Sequence, residues 1–105
     1  MNKIQRGNIL DAVHDTATGL HGAGLIDDVT MREFDVLCLP AIKKYTAREI
    51  KNIRVAQHVS QPVFAAYLNV SKSTVAQWEQ GEKKPRGTSL KLLDIVERKG
   101  LDALS

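Results

Sequence analysis

Between Ser71 and Gly81 the chain gathers Lys72, Ser73, Thr74 and Gln77, with Val75 and Trp78 three apart on a shared face. These residue types do recognition chemistry rather than bond making. A lysine ammonium suits phosphates and the acceptors of guanine, a glutamine amide matches the donor–acceptor pair of adenine, and small hydroxyls serve bases or phosphates. Ser71 is a good helix N-cap. Gly81 can adopt the left-handed conformation that ends a helix. Between them lie about two and a half turns. A short helix, apolar behind and polar or basic in front, suits a DNA major groove. An ordinary amphipathic surface helix has the same pattern, so the flanking sequence must decide.

The flanks are regular from Thr46 onward. Thr46 and Glu49 have capping-box spacing. Ile50 and Ile53 mark a helix face running to about Val59. Ser60 is placed to cap a second helix with Pro62 in its first turn, where proline is tolerated. Phe64, Ala65 and Leu68 form its buried side, and Asn69 suits a left-handed turn. This predicts helix, tight turn, helix over Ser60–Gly81. A basic loop follows, carrying Lys83, Lys84 and Arg86. Thr88 is placed to cap a last long helix with Leu90, Leu93 and Val96 on one face; Gly100 ends it, and residues 101–104 add a further turn.

A chain of 105 residues with 43% hydrophobic content supports one small domain and an appendage. The net charge of +3 is unevenly placed. Residues 1–45 hold five basic against six acidic residues, and residues 46–105 hold ten against six. The basic half contains the Ser71–Gly81 helix, which favours an anionic partner, nucleic acid ahead of membrane. Cys38 is the only cysteine; His14, His21 and His58 are scattered, and no set has zinc spacing. No metal, cofactor or catalytic residue is expected. Glu33 and Asp35 read as surface charge. With no signal core and no apolar span, the cytoplasm is the expected compartment.

Ahead of this, Ile9, Leu10, Val13, Ala17 and Leu20 predict a helix over about residues 4–20, broken at His21-Gly22-Ala23-Gly24. Phe34, Val36 and Cys38 alternate with Asp35, Leu37 and Leu39, which predicts an extended segment over about 34–39 that stops at Pro40. Asp27 and Asp28 read as solvated charges. Residues 1–45 are therefore expected to be an extension, a dimer arm or a docking arm for another protein (a toxin, if the resemblance given below holds), and residues 46–105 the main domain.

Residues 46–104 resemble the Xre/Cro-type helix-turn-helix family. The resemblance rests on Ser60-Gln61-x-x-Phe64-Ala65-x-x-Leu68, on Ser71-x-Ser73-Thr74-Val75-x-x-Trp78-Glu79-Gln80-Gly81, and on Lys84-Pro85 before the leucine-rich helix. The Trp-Glu-x-Gly-x-x-x-Pro run is similar to the HigA/NadS-like antitoxin branch. This implies an all-α, five-helix, lambda-repressor-like DNA-binding domain, here behind an N-terminal helix and extended segment. It implies a homodimer, joined through Thr88–Lys99, on double-stranded DNA with a pseudo-palindromic operator, and a RelE/HigB-like toxin as second partner. The alternatives are a stand-alone phage-type or bacterial regulator, or a protein-interaction module without DNA binding.

The resemblance also implies roles. Gln61, Ser71 and Thr74 reach the phosphate backbone, with a thymine methyl as a second target for Thr74. Lys72, Ser73 and Gln77 face base edges. Lys83, Lys84 and Arg86 grip the backbone. Phe64, Ala65, Leu68, Val75 and Trp78 form the motif's core. Arg54 and Glu79 pair across the domain; a carboxylate near a helix C-terminus needs such a cation to offset the dipole.

Overall fold

The structure is a computed structural model that describes residues 3–105, with side chains from Gly7 onward. The chain divides into two compact units, Met1–Ala41 and Ile42–Ser105. The boundary falls earlier than the change of charge near residue 45, because Tyr45 is buried in the second unit's core.

The first unit is a helical hairpin. Helix α1 spans Lys3–Gly22 and α2 spans Asp28–Leu37. Gly24, at φ 78°, closes α1, with its N–H on the His21 carbonyl and the Leu25 N–H on that of Leu20. Asp27 then opens α2: its carboxylate accepts the Thr30 N–H at 2.8 Å. Hydrogen bonds from Thr30, the backbone one above all, hold the Asp27 carboxyl below its ordinary range. Two bridges fix the helices antiparallel. His14 meets Asp35 and His21 meets Asp28, each at 2.6 Å.

The expected extended segment over 34–39 is therefore wrong. Residues 34–37 are helical, and Cys38 is the C-cap of α2. Met31, Phe34 and Cys38 are the half-buried stripe at helical spacing. Val36 and Leu37 lie outside it and are exposed, so the apparent alternation came from apolar residues on two faces of one helix. Asp27 likewise is a cap rather than a free charge.

The second unit has four α-helices and a terminal 3-10 turn: α3 Ala47–Ala56, α4 Gln61–Leu68, α5 Lys72–Glu79, α6 Thr88–Lys99, then Leu101–Leu104. It is all-α and lambda-repressor-like, with the short turn as its fifth element. Thr46 and Glu49 form a reciprocal capping box, each side chain on the other's backbone N–H at 3.1 Å. Helix α3 ends at Ala56, short of Val59, and His58 takes φ 60°. Ser60 occupies the N-cap of α4 without a side-chain cap bond. Gly87, not Thr88, is the N-cap of α6; Thr88 is its first helical residue and makes no cap bond. Phe64, Val75, Leu93, Val96 and Ile50 are almost wholly buried, and Trp78, Tyr45, Leu68, Ala65, Ile53 and Leu101 complete one core. A polar strut joins distant parts of that core: the Gln57 side chain accepts the Leu101 N–H at 3.0 Å.

Candidate nucleic-acid interface

Helices α4 and α5 are joined by Asn69, Val70 and Ser71 alone. Asn69 sits at φ 56°, ψ 44°, with the Asn69 and Val70 N–H groups returning to the carbonyls of Ala66 and Ala65. That closure turns the chain sharply and releases Ser71 to start α5. The Ser71 Oγ accepts the Thr74 N–H at 3.1 Å and lies 2.8 Å from the Thr74 hydroxyl. At the other end the Gly81 N–H donates to Trp78 and the Glu82 N–H to Gln77, with Gly81 at φ 77°. A side chain at position 81 would be strained in that conformation, which is why glycine ends this helix.

The back of α5 is fixed by Val75 and Trp78, both buried against the core. A second anchor is ionic. Arg54 donates from Nε to one Glu79 oxygen at 2.7 Å and from Nη2 to the other at 2.9 Å. Its third bond, from Nη1, goes to the Val59 carbonyl at 3.0 Å. The side chains are only 14% and 5% exposed, so this bidentate pair ties α3 to the end of α5 in a largely dry place. Burial of Glu79 acts to raise its pKa. The hydrogen bonds from Arg54 and Gln61, with the charge of Arg54, outweigh burial and leave it lowered.

What remains outward is the front. Lys72 and Ser73 are exposed at the N-terminal turn of α5, and Thr74 and Gln77 are half-buried beside them. Gln61 is half-buried at the start of α4, and its Nε2 donates one N–H to Glu79 at 3.3 Å, joining the Arg54 network and leaving the second N–H of that amide for another acceptor. Ser71 and Thr74 likewise bond each other. Lys83, Lys84 and Arg86 are exposed, held on a loop whose Pro85 is buried. This loop, Thr74 and Ser89 line one cleft with Lys44 and Tyr45. Lys44 was missed from sequence, because nothing local marks a lysine ahead of α3 as a neighbour of residues 83–86. Tyr45 was missed too; its hydroxyl donates to Glu97 at 3.1 Å. Burial, then the Glu97 contact, raises its pKa strongly, so it serves as a neutral donor.

Residues 50–96 match the helix-turn-helix family. The matched stretch lies wholly within the second unit and spans α4 and α5. In it, α4 and α5 stand as the two helices of a helix-turn-helix, with the N-terminal front of α5 exposed. Over 50 residues the chain is 42% identical to Antitoxin HigA-2 of Vibrio cholerae serotype O1 (strain ATCC 39315 / El Tor Inaba N16961), a stretch covering 48% of each chain. The chain thus matches about half the length of this curated relative. Among the described residues of the helix-turn-helix unit and the hairpin, no group of His, Cys, Asp and Glu is placed to hold a metal ion, and no helix is long and apolar enough to cross a membrane.

Proposed function

We propose that this protein is a sequence-specific DNA-binding repressor of the antitoxin kind, acting as a homodimer on a pseudo-palindromic operator. The observation that carries the reading is the two-sided character of α5. Val75, Trp78 and Glu79 are held from behind, so Lys72, Ser73 and Gln77 are presented on a rigid element beside a basic loop. Rigid presentation limits the entropy lost on ordering side chains at base edges. In this reading Lys72, Ser73 and Gln77 read bases. Lys83, Lys84, Arg86 and Lys44 hold phosphates, which contribute affinity but no sequence choice. Ser71 and Gln61 act mainly as a cap and as a support for Glu79. One short helix reads few base pairs, so two copies, joined through α6, supply the remaining specificity.

The similarity to a protein named as an antitoxin supports a toxin of the RelE/HigB type as the second partner, docked by the N-terminal hairpin. Two measurements test the assignment. Gln77→Ala is expected to weaken binding to DNA from the gene's own upstream region by about 1–3 kcal/mol and to relax preference at one position. Equal losses on specific and scrambled duplexes would defeat base reading by Gln77. Removing residues 1–40 is expected to abolish co-purification with a co-expressed toxin from the neighbouring reading frame; a retained complex would remove the hairpin from that role.

A further inference from the structure

The outer face of α2 is made of Val29, Arg32, Glu33, Val36 and Leu37, which together line one shallow groove. Their spacing of three, four, seven and eight places them along a single helix face. The apolar members are open to solvent: Val29 is 69% exposed, Val36 68% and Leu37 61%. Isolated exposed apolar residues need no explanation, but a contiguous stripe of them marks an interaction surface.

The order along that face says what covers it. Read from the midpoint between Arg32 and Glu33, the sequence Val29-x-x-Arg32-Glu33-x-x-Val36 is its own complement. A two-fold axis through that midpoint sets Val29 on Val36 of the second copy and Arg32 on Glu33 of the second copy. Both pairings repeat by symmetry, as an isologous contact requires. The exposed Leu25 lies just before α2 and the exposed Leu39 just after it, so the same axis carries the two apolar ends toward each other. The charge balance agrees. Residues 1–41 carry three basic and six acidic side chains, yet this face holds one of each sign. A second acidic hairpin can therefore approach here without meeting like charge.

We propose that α2 is a self-association element, pairing antiparallel with α2 of a second copy of this chain, in addition to any contact made by α6. The test uses the full chain with Cys38→Ser, so that introduced cysteines are the only thiols. Val29→Cys and Val36→Cys chains, one of them tagged, are mixed and mildly oxidised. The pairing predicts a disulfide between the two kinds of chain and little within either kind, since two copies of position 29 lie roughly 10 Å apart along the axis. Arg32→Glu and Glu33→Arg are each expected to lower the mixed cross-link several-fold, and the double reversal to restore it. Restoration is the informative arm. Arg32 also lies 3.3 Å from Asp35 on its own helix, and that contact stays reversed in the double variant. An absent mixed disulfide, equal yields from the unmixed chains, or a double variant as poor as the single ones would each overturn the proposal.

Discussion

The hairpin of residues 1–41 and the domain of residues 42–105 are built from the same kind of element and differ in what their helices enclose. In the domain, ten residues drawn from every helix and the terminal turn, with Tyr45 ahead of α3, form one buried core. In the hairpin, Ala17 is the one apolar residue among those described that is fully buried, and Ile9, Leu25, Val29, Val36, Leu37 and Leu39 stay more than half exposed. Two helices can bury one stripe each and no more. The hairpin relies instead on two histidine–aspartate bridges whose side chains are substantially exposed, and exposed pairs contribute little. The domain is thus a finished scaffold for presenting α5, and the hairpin leaves most of its described apolar side chains uncovered.

The sharpest way to break this contrast is to truncate one apolar side chain in each unit. Trp78→Ala should cost the domain about 3–5 kcal/mol in urea unfolding followed by circular dichroism. Val36→Ala should change the stability of the hairpin by about 0.5 kcal/mol or less. A large effect of Val36→Ala in the dilute monomer would mean that the hairpin's outer face is already covered within the chain.

Next in size is the ion pair. Glu79→Gln leaves Arg54 facing a neutral amide in a largely dry site and should cost about 3 kcal/mol, the low end for a buried pair, because the guanidinium keeps 14% exposure. An unchanged melting temperature in both Glu79→Gln and Arg54→Met would remove the pair from the anchoring of α5.

A smaller effect is the pH dependence of that pair. The folded pKa of Glu79 lies below its ordinary value of 4.5. Its contribution is therefore complete above about pH 4.5 and is lost as pH falls through the folded value. The stability difference between the native protein and Glu79→Gln should shrink on acidification below about pH 4.5. A difference that stays constant down to about pH 3 would show that the variant's loss is packing rather than charge.

Most of the domain was legible because its boundaries carry local codes. Thr46 with Glu49, Asn69, Ser71 and Gly81 each solve a helix-end problem with a residue type that few others can replace. The pairing of Arg54 with Glu79 was suggested by resemblance and by the unfavourable placement of a carboxylate at a helix end; its bidentate geometry is a product of tertiary structure. Helix α2 was illegible for a physical reason. A helix whose outer face carries Val29, Val36 and Leu37 loses the contrast between faces, and Phe34, Val36 and Cys38 then mimic strand alternation. The same exposed residues that hid the helix are the ones proposed to meet a second copy. Lys44, Gln57 and the Gln61–Glu79 bond were beyond reach, since each depends on proximity between segments distant in sequence.

In the proposed function the domain, through its basic loop, carries the DNA contact, and the hairpin does not. The salt dependence of DNA affinity tests it most directly. Removing one lysine or arginine from a phosphate should flatten the plot of log affinity against log salt by about 0.9. The combined Lys83→Ala, Lys84→Ala, Arg86→Ala variant of the full chain should therefore reduce the slope by about three units per protomer on specific and scrambled duplexes alike. Arg32→Ala in the hairpin should leave the slope as it is. A slope unchanged in the triple variant, or flattened as much by Arg32→Ala, would contradict the account.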